Sequence, residues 1–210
     1  MIEKFLKAKH WQIFLLIVGI PVLIEIIMLI ILFIDFDFES VNPKPKVMLS
    51  FLGIFPIIMI LYLSVYFGWL WSIAIGLQSK MPENVKMKIR KFKILFFIPF
   101  IYIITISLFV GGGILGFNNG DNISELSGIL FGLGIGIFVL LHLFSMFCIF
   151  YLLYFVSKTI KSVELQREVE FGDYALEFFL MWFYIIGIWI IQPRINKLIE
   201  RSSTANQELL

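Results

Sequence analysis

Glu25, His142 and Glu177 are the residues of this 210-residue chain best placed to do chemistry, because each sits in or beside a long apolar run. A lone charge near a bilayer centre costs several kcal/mol, so such a group faces other protein or stays neutral. At about 1.5 Å per residue, Glu25 lies about 13 Å from the outer end of its run and His142 about 22 Å from the outer end of another. That difference of about 9 Å is within reach of two side chains and one water. Glu25 and His142 are therefore the candidate intramembrane polar pair. Histidine titrates near neutrality and burial disfavours a charged carboxyl, which is proton-relay chemistry. The plainer reading gives each residue one interhelical hydrogen bond. Glu177 reads as an interfacial residue. No nucleophile–base set and no metal-ligand spacing stand out, and Cys148, the one cysteine, excludes an internal disulfide. Gly111-Gly112-Gly113 lacks the Lys-Ser/Thr that a phosphate loop needs. No enzymatic activity, cofactor or metal is expected.

The elements that must position these residues are membrane spans. The chain is 60% hydrophobic and 15% charged, and 24 residues are Phe. Soluble domains are about 45–50% apolar and about 25% charged. Lipid must cover much of this surface. Four runs exceed the roughly 20 residues that cross the hydrocarbon: 11–34, 47–77, 94–117 and 127–156. Lys4, Lys7 and Lys9 precede the first run, and no small-residue cleavage site follows it, so it reads as a retained span rather than a signal peptide. The 127–156 run continues into a charged helical stretch, where Lys161, Glu164 and Arg167 stand three apart and pair along a helix. Gly172 reads as its stop and Asp173 as the next N-cap. The last run, about 174–193, has an unbroken apolar stretch of only 14 residues, Phe178–Ile191, and closes at Gln192-Pro193. Runs of 10–14 mark re-entrant or interfacial segments more often than spans. Gly187 would let the chain turn, with Trp182 and Trp189 at the interface. The expected fold is an all-helical integral membrane protein: a four-span bundle plus a C-terminal re-entrant or interfacial helix, the alternative being five spans. Residues 1–201 make one domain, and 202–210 read as a disordered tail.

Basic residues set the orientation. Lys/Arg-rich short loops stay in the cytoplasm. With a returning last segment, every Lys and Arg except Lys44 and Lys46 falls on one side. Both termini are then cytoplasmic. Lys86, Lys88, Arg90, Lys91 and Lys93 form the densest basic stretch and are expected to contact anionic lipid headgroups, at about 1 kcal/mol per charge. The patch is too short and too close to the membrane for nucleic acid.

Glycines repeat every four residues at Gly128, Gly132 and Gly136 and at Gly112 and Gly116. Such spacing puts small residues on one face and predicts close packing of the third and fourth spans. "GIWIIQPRIN", Gly187–Asn196, resembles a C-terminal stretch of small multi-pass membrane proteins of the Bacteroidota type. The resemblance implies a bacterial inner (cytoplasmic) membrane and supplies no activity. The expected role is non-enzymatic, a scaffold or accessory subunit bound to a membrane-protein partner or a second copy. The alternative is a small, proton-linked transporter or channel.

Overall fold

A backbone in hydrocarbon must satisfy its own hydrogen bonds, so apolar runs of this length fold as helices. The computed structural model describes residues 2–34, 36–37, 42–43, 45–116 and 125–207, with side chains chiefly over 2–31, 56–108 and 136–200. A short helix α1 (Ile2–Lys7) leads into α2 (His10–Phe14), a π-helical turn (Leu15–Gly19) and α3 (Ile20–Ile34). The π turn precedes Pro21, whose ring cannot donate to the helix. The Ile20 amide instead reaches back five residues to the Leu15 carbonyl. A two-residue antiparallel pairing, β1 (Phe36–Asp37) with β2 (Asn42–Pro43), follows. Then come α4 (Pro45–Gly76), a 3-10 turn (Gln78–Lys80), α5 (Ile89–Gly116), α6 (Glu125–Leu165), α7 (Phe171–Trp182) and α8 (Tyr184–Gln207).

Four helical stretches are long and apolar enough to cross a membrane: His10–Ile31, Pro56–Lys80, Ile89–Leu108 and Gly136–Leu165. α4 packs on α5, and α5 on α6, as sequential antiparallel neighbours. The buried core occupies one half of the bundle, the half nearest the basic segments. Trp69, Leu70 and Ile73 of α4, Phe92 of α5, and Leu152, Phe155 and Ile160 of α6 are enclosed there. Phe92 stacks on Phe155 with centroids 4.5 Å apart. In the other half, Ile137–Leu141 of α6 are exposed, as are Leu23, Ile26 and Ile30 of α3. An apolar surface of that extent is suited to lipid.

The last segment departs from the helix before it. α7 stops at Phe183, whose φ of −86° and ψ of 57° lie outside the helical region, and α8 starts at once. The chain then reverses. Glu177 of α7 and Arg194 of α8, seventeen residues apart in sequence, meet at 2.9 Å. α7 and α8 thus form a helical hairpin that packs on α6 and on the N-terminal helices. The turn lies at Phe183 rather than at Gly187. Gly187 is needed for space: a Cβ there would sit inside the contact sphere of the Leu180 carbonyl oxygen. Pro193 does not close the segment but lies within α8, which runs on to Gln207, past the start of the expected tail at Ser202. Glu200, Arg201 and Ala205 are good helix formers, enough to carry the helix forward. α6 ends on Gln166, in the left-handed region at φ 52°, and not at Gly172.

Candidate functional site

The polar residues gather where the basic segments converge. Gln192, fully buried on α8, is the hub. Its Oε1 accepts from Trp69 Nε1 of α4 at 2.8 Å. Its Nε2 faces the carbonyls of Phe5 and Ala8 at 3.0 and 2.9 Å and Asn196 Oδ1 at 3.0 Å. Asn196 Nδ2 also donates to the Ala8 carbonyl, at 3.1 Å. A helix end leaves its last carbonyls without intrahelical donors. Here two side-chain amides of α8 supply donors at the end of α1. Gly68 and Gly76 let α1 lie close on α4: a Cβ would meet Phe5 at 3.2 Å in the first case and Ile2 at 2.9 Å in the second.

Two residues further along α8 from Gln192, Arg194 meets Glu164 of α6 at 2.7 Å and Glu177 of α7 at 2.9 Å. Lys161 meets the same two carboxylates at 2.9 and 3.3 Å. Two cations and two anions from three helices therefore form a compact quartet. Glu177 is 1% exposed. Its Oε1 is close to both cations but off the line a hydrogen bond requires. Oε2 has no donor among the described residues. The quartet is an electrostatic clamp on the hairpin. Glu177 is thus buried within the protein, and Arg167 does not pair with Glu164. It forks onto both oxygens of Asp173 at 2.8 and 3.0 Å, while Asp173 also accepts from the Glu170 amide at the start of α7. The guanidinium of Arg167 holds the Asp173 carboxyl below the usual carboxylate range, with the Glu170 amide adding to the effect.

Glu25 and His142 are not brought together. Glu25 lies on the exposed side of α3, a helix that packs mainly on α4 and the π turn. His142, on α6, has Nδ1 at 3.3 Å from the Tyr102 hydroxyl of α5. Among the described residues no hydrogen bond or ion pair joins the two. Similar depth along two helix axes fixes nothing about which way each side chain points. Direct contact between the two is therefore not seen among the described residues.

A Cβ at Gly136 would meet nothing within 4 Å, so this glycine does not seat a neighbouring helix. Gly112, Gly116, Gly128 and Gly132 lie in helical backbone whose surroundings fall outside the described side chains. The close approaches are at Gly68 and Gly76, spaced eight apart. Lys86, Lys88, Arg90, Lys91 and Lys93 are all exposed. Buried Val85 and Phe92 hold their segment down, and Lys91 lies 5.0 Å over the Tyr151 ring. Trp182 sits at the hairpin tip against Phe150, centroids 4.4 Å apart. Phe150 is eight residues, about 12 Å, above Lys158, deeper than an interfacial anchor. Trp189 packs on His10 at 4.7 Å.

Sequence reading missed the Gln192 hub and the clamp. The available signal was a glutamine inside an apolar run, followed two residues later by an arginine. Compared with protein-family models, with curated proteins and with solved structures, the chain matches none.

Proposed function

We propose that this chain is a non-enzymatic, multi-pass subunit of a bacterial inner membrane, with both termini cytoplasmic, that docks on another membrane protein through α3. The observation that carries the reading is Glu25. It stands exposed within a span, among exposed Val22, Leu23, Ile26 and Leu29, and has no hydrogen-bond or ion-pair partner among the described residues. A carboxyl facing hydrocarbon is costly, and a polar group on a neighbouring helix relieves that cost. α3 is also the least enclosed of the four spans, so a partner helix would find a whole face free.

The orientation follows the basic residues. Lys80 Nζ donates to the Leu198 carbonyl at 3.2 Å, Gln166 reaches the Lys80 carbonyl at 3.3 Å, and Gln192 holds α1. The N-terminus, the 80–93 segment, the end of α6 and most of α8 thus belong to one end of the bundle. The positive-inside rule makes that end cytoplasmic. The exposed basic stretch from Lys86 to Lys93 then lies at headgroup level, where anionic lipid would meet it.

The test is photo-crosslinking in native membranes from benzoylphenylalanine placed at Val22 or Leu29. A discrete adduct to a different membrane protein is expected. Glu25→Leu should abolish it and Glu25→Gln should keep it. Adducts to lipid alone, or only to a second copy at twice the chain mass, would overturn the accessory-subunit reading. A periplasm-specific reporter fused after Leu210 checks the orientation, and strong activity would refute it.

A further inference from the structure

The α7–α8 hairpin carries its polar residues inside and its apolar residues outside. Tyr174, Glu177 and Gln192 are buried and Tyr184 is half-buried. Leu176, Phe179, Phe183 and Ile186 are each more than half exposed. Every exposed residue from Leu176 to Ile190 is apolar. A helix facing water shows the reverse pattern, whereas intramembrane polar groups turn towards the bundle. The solvent of this face is therefore hydrocarbon.

The hairpin does not reach across. Trp182, at its tip, packs on Phe150 of α6 with centroids 4.4 Å apart. Phe150 is eight residues, about 12 Å, from Lys158. Counted on α8 instead, Tyr184 is ten residues, about 15 Å, from Arg194. Both counts come to about half of a hydrocarbon core about 30 Å thick. Beyond Phe150, α6 runs on through exposed Phe147, Leu143 and Leu140, with about 21 Å of apolar helix back to Gly136. One half of the bundle therefore holds more helix than the other. Among the described residues the far half contains four helices, α3 to α6. The near half contains the start of the first span with α4, α5 and α6, and adds α7 and α8. α1 joins them, lying on α4 at Gly68 and Gly76. A helix about 10–12 Å across covers about 80–110 Å² of membrane plane, so the hairpin alone adds about 200 Å² to one leaflet and none to the other.

The geometry points to a membrane-shape function: the chain is a wedge, broad in the leaflet next to the basic segments, and its partner is a lipid surface that is convex on that side. Helix inserted into one leaflet is accommodated at least cost where that leaflet is already stretched, which makes such insertions sensitive to curvature. Arg194 ties α8 to α6 and α7 at 2.7 and 2.9 Å, so the broad end is a fixed part of the fold. That the broad leaflet is the cytoplasmic one rests on the orientation proposed above, whereas the wedge rests only on the end at which the hairpin enters. The two fail separately, because the reporter fusion reads which end is cytoplasmic and the following measurement reads which end is broad.

The experiment uses the full chain carrying Lys197→Cys, an exposed position at the basic end, in giant vesicles of phosphatidylethanolamine and phosphatidylglycerol. A membrane-impermeant maleimide dye added outside marks only molecules with that end outward, because Cys148 is buried. A narrow tether is then drawn from the vesicle. Outward-facing molecules should be enriched on the tether relative to a lipid dye, increasingly so as tension narrows it. Molecules labelled from within, after the outer cysteines are blocked, should be depleted. Equal behaviour of the two pools would overturn the wedge, as would no response in either. In the latter case, photobleaching in two steps would give the exposed hairpin face to a second copy. Gly187→Ala, whose Cβ meets the Leu180 backbone, should lose the enrichment in step with faster hydrogen exchange of amides 178–190. Unchanged enrichment in a variant whose hairpin amides exchange freely would also overturn the proposal. If Gly187→Ala does not fold, the two labelled pools of the Lys197→Cys chain still decide.

Discussion

Gln192→Leu should detach α1 and cost about 2–6 kcal/mol. Leucine is close to glutamine in volume, so packing changes little and the loss is polar. The buried Trp69 Nε1–H loses its only acceptor among the described residues, 2.8 Å away, at about 1–3 kcal/mol for a stranded buried donor. The carbonyls of Phe5 and Leu6 lose their side-chain donor, at about 0.5–1.5 kcal/mol for each net bond. The Ala8 carbonyl keeps Asn196 and so limits the damage. The assay is equilibrium unfolding by SDS in mixed micelles, followed by circular dichroism, on wild type, Gln192→Leu, Trp69→Phe and the double variant. The donor and acceptor strand each other when only one is removed. The double variant should therefore lose about 1–3 kcal/mol less than the sum of the singles. Hydrogen exchange of residues 2–9 should accelerate in Gln192→Leu while the amides of α6 around Phe155 keep their protection. A loss below about 0.5 kcal/mol, within the range of a neutral surface change, would refute the hub. So would strict additivity in the cycle.

Gly187→Ala should unfold the hairpin, costing more than about 4 kcal/mol, because its Cβ meets the Leu180 backbone rather than a side chain that can move. Gly136→Ala, with open space around it, should be neutral or stabilise by about 0.5–1 kcal/mol. The two melting midpoints in one detergent check both. Arg194→Met should cost about 3 kcal/mol, the low end for a broken buried pair, since Lys161 still faces Glu177 at 3.3 Å. SDS unfolding measures it, and Arg194→Lys should recover part of the loss. Asp173 has a lowered carboxyl pKa in the folded chain. Its pairing with Arg167 therefore stabilises the start of α7 above the ordinary carboxylate range and is lost as pH falls through the lowered value. Exchange of amides 168–176, corrected for intrinsic rates, should be level near neutrality and rise only below about pH 4, whereas Asp173→Asn should be fast at every pH.

Hydropathy and charge are one-dimensional quantities, and what depends on them alone was legible. The four spans follow from run length, and the close pairing of α5 with α6 from the short connection between them. The returning last segment was legible only as a preference, because 14 apolar residues favour a re-entrant segment yet leave a short span within range. What settles it is tertiary. Arg194 is paid back for its burial by carboxylates on α6 and α7, and one of them, Glu177, looked interfacial when read by position alone. The Glu25–His142 pair failed for a related reason. Distance along a helix axis can be counted from sequence, whereas the direction in which a side chain points depends on neighbours. Gly136 shows the same limit. Its four-residue spacing is the pattern of a packing face, yet a Cβ there would meet nothing among the described residues, while Gly68, Ser72 and Gly76, also four apart, carry the same small-residue spacing, and the two glycines seat α1.

The stretch Gly187–Asn196 shows how much structure a short pattern can hold. Gly187 clears the Leu180 carbonyl. Ile188, Ile191 and Ile195 fall on one buried side, the three- and four-residue steps of a helix face. Trp189 turns the other way, against His10 and Phe14. Gln192 and Asn196, one turn apart, take the carbonyls at the end of α1. Arg194 reaches the two carboxylates of the clamp. Gln192 and Asn196 thus answer groups at the end of α1, Gln192 also one on α4, and Arg194 groups on α6 and α7. A helix with this face would be poorly satisfied in lipid as a lone fifth span, since Gln192, Asn196 and Arg194 would need partners there. Folded back against α1 and α6, it has them within the chain. The polar face that argues against a simple span is therefore also what holds the N-terminal helix to the bundle, so loss of the hairpin and release of α1 should occur together.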